Sequence, residues 1–438
     1  MDPYDKIVER YLKKVAKADG VVASIIGNTP IPKMCRIKQV FDDFHIKDVK
    51  EEIIKQLTRD GTLNKINAGD SVAIGAGSRG ITNYAEIVGT VVNEIKRIGG
   101  NPFIIPAMGS HGGAIASGQE AVLAGYGITE QTMGCPIRAT METLQVGTSE
   151  YGLPVFIDKY ALEADGIVII GRVKPHTSFR GKYESGLLKM LTIGLGKQKG
   201  AEICHAQGFK YMAQNLVSSA SVILKNCNIL FGIAIVENAY DQTIKLSSIP
   251  AEKIFDEEPA LLEIAKKRMA SIMFESFDVL IVDRCGKNIS GDGMDPNITG
   301  NFTTPYATGG PQKERTVVLD LTEESHGNSV GFGIADYSVQ RLFDKMDFEA
   351  TYPNVLTSTV PVSAKIPIIL ANDKLAIQAA IKTCYCVNNP KVVRIRDTLS
   401  MGEILISESL LEEAARNLNI EILEEPKGMQ FDENGNLF

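Results

Sequence analysis

Three times in the first half of the chain a short apolar run leads into a glycine-rich loop and then into a helical or further polar segment. Ser71-Val-Ala-Ile-Gly75 runs into Ala76-Gly77-Ser78-Arg79-Gly80, and a helix over residues 83–98 is stopped by Gly99-Gly100. Phe103-Ile-Ile-Pro-Ala107 is followed by Met108-Gly109-Ser110-His111-Gly112-Gly113, and Ser117 with Glu120 three residues on reads as the capping box of a second helix. Ile167-Val-Ile-Ile170 then feeds a long polar loop over 171–185. Apolar runs without polar alternation are strands covered on both faces. Such strands, alternating with helices, predict an α/β fold with a mostly parallel sheet flanked by helices.

The pattern continues with a helix over 210–224, a strand over 229–236 and a helix over 258–272. It restarts at Val279-Leu-Ile-Val282, with further strands at 317–321 and 366–370 and a helix over 373–383. A length of 438 residues suits two domains. The expected division is an N-terminal α/β domain over 1–272 and a C-terminal α/β domain over 273–438. No long linker separates them, so an active site in a shared interdomain cleft is expected. Residues 4–18 read as an amphipathic helix and the polar tail over 424–438 as peripheral.

Composition narrows the partners. The net charge of −7 and the lack of a basic stripe argue against nucleic acid. The longest apolar run, 229–236, is far short of the roughly 20 residues of a membrane span. No signal peptide is evident, and seven scattered cysteines form neither a disulfide framework nor paired metal spacing, so a cytoplasmic location is expected. Cys384-Tyr-Cys386 is a C-x-C without a second pair.

In an open α/β sheet, ligands bind beyond the carboxyl ends of the strands. If the strands are parallel, the three loops place Arg79, His111, Lys174, His176, Arg180 and Lys182 on one edge, and the loop after 279–282 offers Lys287, Asn288, Asp292 and Asp295. Histidine suits proton transfer near neutral pH. His111, between Ser110 and two glycines, reads equally well as a ligand-facing base or as an exposed turn residue. His176 follows Lys174-Pro175, a stiff dipeptide that fixes its direction. Lys189, in the apolar run Gly186-Leu-Leu-Lys-Met-Leu191, is either a buried nucleophile or an amphipathic lysine reaching water. His205 beside Cys204 reads alone as a packed or capping residue, and His45 and His326 as surface residues near helix ends. No loop carries a dinucleotide-binding or P-loop motif.

Taken in order, Ser78-Arg79, Gly109-Ser110-His111-Gly112, Lys174-Pro175-His176, Ser185-Gly-Leu-Leu-Lys189 and His205 resemble the nickel-dependent lactate racemase family. Lys189 precedes His205 by 16 residues, the spacing of that family's tether lysine and nickel-ligand histidine. The resemblance covers residues 70–210 most clearly. It implies an isomerase, a racemase or epimerase of a 2-hydroxy acid. It further implies a nickel-pincer nucleotide attached to Lys189, with nickel held by the cofactor's own donors and by His205. His111 and His176 are implied as the acid/base pair and Arg79 as the clamp on the substrate carboxylate. In the second domain, Lys287 is a candidate for a further substrate contact. Enzymes that build the cofactor are implied partners.

The sequence departs from the family pattern at Ala76, where an acidic residue stands three positions before the arginine. It departs again at Ser110-His111-Gly112-Gly113, in place of Thr-His-Arg-Pro, and in a longer segment between His176 and Lys189. These positions surround the substrate, so the implied substrate is larger or more polar than lactate, such as a sugar acid, with Arg180 and Lys182 as contacts. Two other readings stay open: a zinc-dependent lyase or hydrolase with His111, His176 and His205 as metal ligands, and a nucleotide-binding protein without catalysis.

Overall fold

The computed structural model describes residues 16–78 and 80–438. The expected helix over 4–18 falls almost wholly outside the described residues, and Arg79 lies outside them too. The chain divides into two compact units. One comprises Asp42–Met269, the other Ala270–Phe438 together with the described residues up to Phe41. Residues 16–41 thus belong with the C-terminal unit, where the sequence suggested the N-terminal domain, and the second boundary falls at 270 where 273 was expected.

The cause lies in β1 (Met34–Gln39). In the first unit follow β2 (Ser71–Ala76), β3 (Asn101–Pro106), β4 (Thr143–Thr148), β5 (Pro154–Asp158), β6 (Gly166–Arg172), β7 (Ile229–Glu237) and β8 (Thr243–Pro250). The second unit has β9 (Val279–Val282), β10 (Arg315–Val318), β11 (Tyr337–Val339), β12 (Ile368–Leu370), β13 (Val392–Ile395), β14 (Glu403–Ser407) and β15 (Ile420–Ile422). β1 inserts between β14 and β15, antiparallel to both, with Met34 opposite Ser407 and Ile37 opposite Ile422.

The first unit is built on a five-stranded sheet of order β3-β2-β6-β7-β8. β2, β3, β6 and β7 run parallel and β8 returns antiparallel. Every residue of β7 is buried, and β6 is buried up to its last residue. Alternate side chains feed two cores. Ile74, Ile104, Val168, Ile170, Ile233 and Ile235 pack on one face, and Ala73, Ile105, Ile167, Ile169, Ala234 and Val236 on the other. That is why the sequence shows continuous apolar runs here. The crossover from β2 turns to β3, and the one from β6 turns the opposite way to β7. The switch point of the sheet therefore lies between β2 and β6, where ligands of such folds bind.

Helices fall close to the expected ranges, with two differences. The second loop's helix spans Ala116–Gly125 with Ile115 as N-cap and no side-chain cap, so Ser117 and Glu120 form no capping box. A 3-10 turn at Gly112–Ala114 feeds this helix directly and starts it ahead of Ser117. The helix expected over 258–272 is Ile254–Arg268. A 3-10 turn at Ala251–Lys253 leads into it, and Asp256 and Glu257 in its first turn favour the earlier start.

The second unit's sheet has the order β12-β11-β10-β9-β13-β14-β1-β15. Its strands from β12 to β13 are parallel, and the β14-β1-β15 edge is antiparallel. The tail is not peripheral: Lys427 pairs with Met34, and Leu437 N donates to Asp373 Oδ2 at 2.8 Å. Among the described residues no helix is long and apolar enough to cross a membrane, and all seven cysteines are free thiols.

Candidate active site

The parallel pairing of β2, β3 and β6 places the loops that follow them on one edge of the first unit's sheet, as the sequence order requires. The loop after β6 is closed at its base by mutual backbone hydrogen bonds of Lys174 and Ser185, at 3.0 and 3.2 Å. Inside it the buried Glu184 carboxylate accepts His176 N–H at 2.8 Å and Arg180 Nη1 at 3.3 Å, and pairs with Lys266 at 3.1 Å. Arg180 also donates to the His176 carbonyl at 2.6 Å. Arg180 is thus used inside the loop, where the sequence suggested a substrate contact. Lys182 lies over the Tyr183 ring.

His176 is fixed at both ends. Its Nδ1 accepts Ser178 N–H at 3.0 Å, which in the neutral ring puts the proton on Nε2. Its ring packs on Phe179, with centroids 4.4 Å apart, and on Phe209 at 5.9 Å. His205, last residue of the helix Lys197–His205, meets the same Phe209 ring edge-on at 5.2 Å. Burial by these rings, with the Lys189 charge adding to it, pulls His205 down to about 4. Burial first, then the charges of Lys189, His205, Lys174 and Arg180, hold His176 well below the ordinary range. Both imidazoles are neutral at pH 7. The Nδ1 of His205 is buried and has no hydrogen-bond partner, a costly state for a polar atom.

Lys189 is the charge these two histidines share. It ends the short helix Leu187–Lys189, which continues at once into a π-helical turn, Met190–Gly194. Such turns are rare and recur at functional sites. Glu258 supports this helix from below: its Oε2 accepts Leu188 N–H at 3.1 Å, and a Cβ on Gly186 would fall 2.3 Å from its Oε1. Burial pushes the Glu258 carboxyl up to about 7, against the lowering effect of the backbone N–H groups. A carboxyl raised on folding binds its proton more tightly in the native state. Stability is therefore full at low pH and falls as pH rises from about 4.5 to about 7, by about 3 kcal/mol in all. Glu258→Gln is expected to flatten that fall, read as the unfolding midpoint at pH 5 and pH 8. An equal slope in variant and wild type would contradict it.

His111 stands on the neighbouring loop after β3, exposed, with Nδ1 hydrogen-bonded to the Ser78 hydroxyl. This loop approaches the π-helical turn through glycines. Gly109 N donates to Gly194 O at 3.3 Å, and a Cβ on Gly194 would lie 2.9 Å from the Ala107 carbonyl. The structure thus gathers His176 and His205 around Phe209, within electrostatic reach of Lys189, and sets His111 on the adjacent loop. Ala76 is buried at the end of β2. Lys287 belongs to the second unit, where its Nζ donates to Gly291 O at 2.7 Å. His45 and His326 are exposed beside helix ends, as expected.

Among the described residues no group of three or more His, Cys, Asp or Glu side chains could hold a metal ion. His111, His176 and His205 therefore do not form the three-histidine zinc site of the alternative reading. Sequence reasoning missed Phe179, Phe209 and Glu258. Phe179 and Phe209 stand three and four residues beyond His176 and His205, a spacing that is a usable cue only once the histidines are singled out.

Residues 37–215 match the lactate racemase N-terminal domain. The match spans 179 of the 438 residues and is a likeness to that domain. The matched span holds Arg79, His111, His176, Lys189 and His205, and leaves out Lys287. The fold agrees. The lactate racemase apoprotein of Thermoanaerobacterium thermosaccharolyticum superposes with a TM-score of 0.51 at 16% identity, over 84% of this chain and 99% of that one. A Thermotoga maritima protein superposes with a TM-score of 0.51 at 12% identity, over 74% and 87%. No curated protein matches the chain by sequence.

Proposed function

We propose that this chain is a 2-hydroxy-acid racemase or epimerase that works with a nickel-pincer nucleotide tethered to Lys189. The observation that carries the reading is the His205 imidazole: buried, held neutral, with an unpartnered Nδ1 beside Lys189. A neutral imidazole with an open nitrogen is what a transition metal takes, and the lysine within its electrostatic reach is the family's tether position. The residues present thus fit the group. When bound, it supplies reversible hydride exchange with C2 of the substrate.

The chain's own residues supply binding and proton handling. His111 and His176 serve the two enantiomers. His176 presents Nε2–H, its tautomer fixed by Ser178 N–H, and donates a hydrogen bond through it to the substrate oxygen. His111 is bonded to a hydroxyl that can both donate and accept. With Nδ1 donating to that hydroxyl, Nε2 is the nitrogen that takes the substrate hydroxyl proton. Arg79 holds the carboxylate. Phe179 and Phe209 keep water from the neutral histidines. The altered surroundings of His111 favour a 2-hydroxy acid other than lactate, to be found by screening such acids for racemisation on a chiral column. Enzymes that assemble the nucleotide are the partners this reading requires.

His205→Ala is expected to weaken nickel retention by more than the roughly 10–100-fold that follows loss of a supporting contact, measured by metal analysis after dialysis. The covalent mass on Lys189 should persist in this variant. Full nickel occupancy in His205→Ala would remove His205 as the ligand.

A further inference from the structure

One buried lysine has no part in the reaction outlined above. Lys197 is 0% exposed and opens the helix that ends on His205. Its backbone is left-handed, at φ +55°, an uncommon state for a residue with a side chain, and one that persists only where the surroundings impose it. Its ammonium pairs with the equally buried Asp158 at 3.1 Å. It also donates to the carbonyl of Pro106, the last residue of β3, and to Gln119 Oε1 at 2.9 Å.

Gln119 is also 0% exposed. Its Nε2 donates to Gly109 O at 3.0 Å and to His111 O at 3.1 Å, the carbonyls on either side of Ser110. A side-chain amide can point either way, and its neighbours decide which. Here Lys197 decides: a flipped amide would set its NH2 against an ammonium and its oxygen against two carbonyls. The ammonium therefore aims both amide donors at the loop of His111.

We propose that Lys197 and Gln119 form a positioning relay that sets the direction of the His111 imidazole. The relay rests on the reading of His111 as a proton-handling residue, which it deepens. It runs from Asp158 through Lys197 and the Gln119 amide to the two carbonyls that frame Ser110. The same lysine begins the helix of His205, so one buried charge registers the His111 loop against the element that carries the metal-ligand histidine.

Gln119→Glu separates positioning from mere burial of a charge. The carboxylate keeps a partner for Lys197, as an ion pair, but has no donor for Gly109 O and His111 O. The five histidines give five resolvable Cε1–Hε1 signals in a carbon–proton spectrum of the protein without cofactor. The relay predicts that the His111 signal moves while those of His45, His176, His205 and His326 stay. In cofactor-loaded enzyme, kcat falls at least tenfold with KM little changed. If all five signals collapse and the variant is unfolded, Gln119→Asn replaces it, with the same selective shift expected from the shortened arm. A His111 signal at its wild-type position in a folded variant overturns the relay. The spectrum needs no cofactor, so an unmodified Lys189 would defeat the proposed function and leave this result untouched.

Discussion

Replacing Lys197 by Met should lower folding stability by about 3–5 kcal/mol, the usual cost of removing one partner of a buried ion pair. Methionine fills nearly the same volume, so the loss is electrostatic. Asp158 would keep a charge at 0% exposure with no counter-charge, and Pro106 O and Gln119 Oε1 would lose a donor. Burial already raises the Asp158 carboxyl and lowers the Lys197 ammonium, each held back by the other's charge. Adding Asp158→Asn should recover a large part of the loss. Asn keeps the oxygen that accepts Tyr160 and Ala161 N–H and caps the following helix, while removing the orphaned charge. Chemical unfolding followed by circular dichroism reads both variants as midpoint shifts at constant slope. A single variant within about 1 kcal/mol of wild type, or a double variant no better than the single, would contradict this account of the pair.

The second large effect is at Lys189. Lys189→Ala should abolish the covalent adduct and with it all racemisation, since among the described residues Lys189 is the lysine whose charge acts on both His176 and His205. It has a second consequence that needs no cofactor. The Lys189 charge is the largest charged contribution depressing both histidines, after burial itself. Its removal should move the His205 titration upward from about 4, still short of the ordinary value because Phe209 continues to bury the ring. Proton–carbon titration of the histidines reads this directly. An unmoved His205 midpoint would place Lys189 away from it and undo the geometry on which the tether assignment rests.

Much of this arrangement is legible in the chain. Ile167 to Ile170 and Ile229 to Val236 carry no polar alternation because both faces of β6 and β7 are covered, so parallel pairing and a shared loop edge follow from composition and order. The placement of β1 is not legible. A six-residue strand with alternate buried and exposed side chains looks the same wherever it pairs, and its partners lie more than 360 residues away. Lys197 is hidden for a related reason. In Lys197-Gln198-Lys199 it looks like a solvated helix start, and only its contact with Asp158, 39 residues earlier, buries it. His205 shows the converse. Its neighbours in sequence suggest a packed residue, yet its Nδ1 has no partner, and its distance along the chain from Lys189 is the only sequence cue to its role.

The assignment of Lys189 as tether and His205 as metal ligand is the claim on which the rest depends. Intact-mass and metal analysis tests it on protein co-produced with the enzymes that make the nickel-pincer nucleotide, in cells whose extract is shown to contain the finished cofactor. The account predicts one covalent adduct per wild-type chain with nickel bound, and no adduct on Lys189→Ala. A wild-type chain of unmodified 47.6 kDa mass from those cells, or an adduct that survives Lys189→Ala, would contradict it.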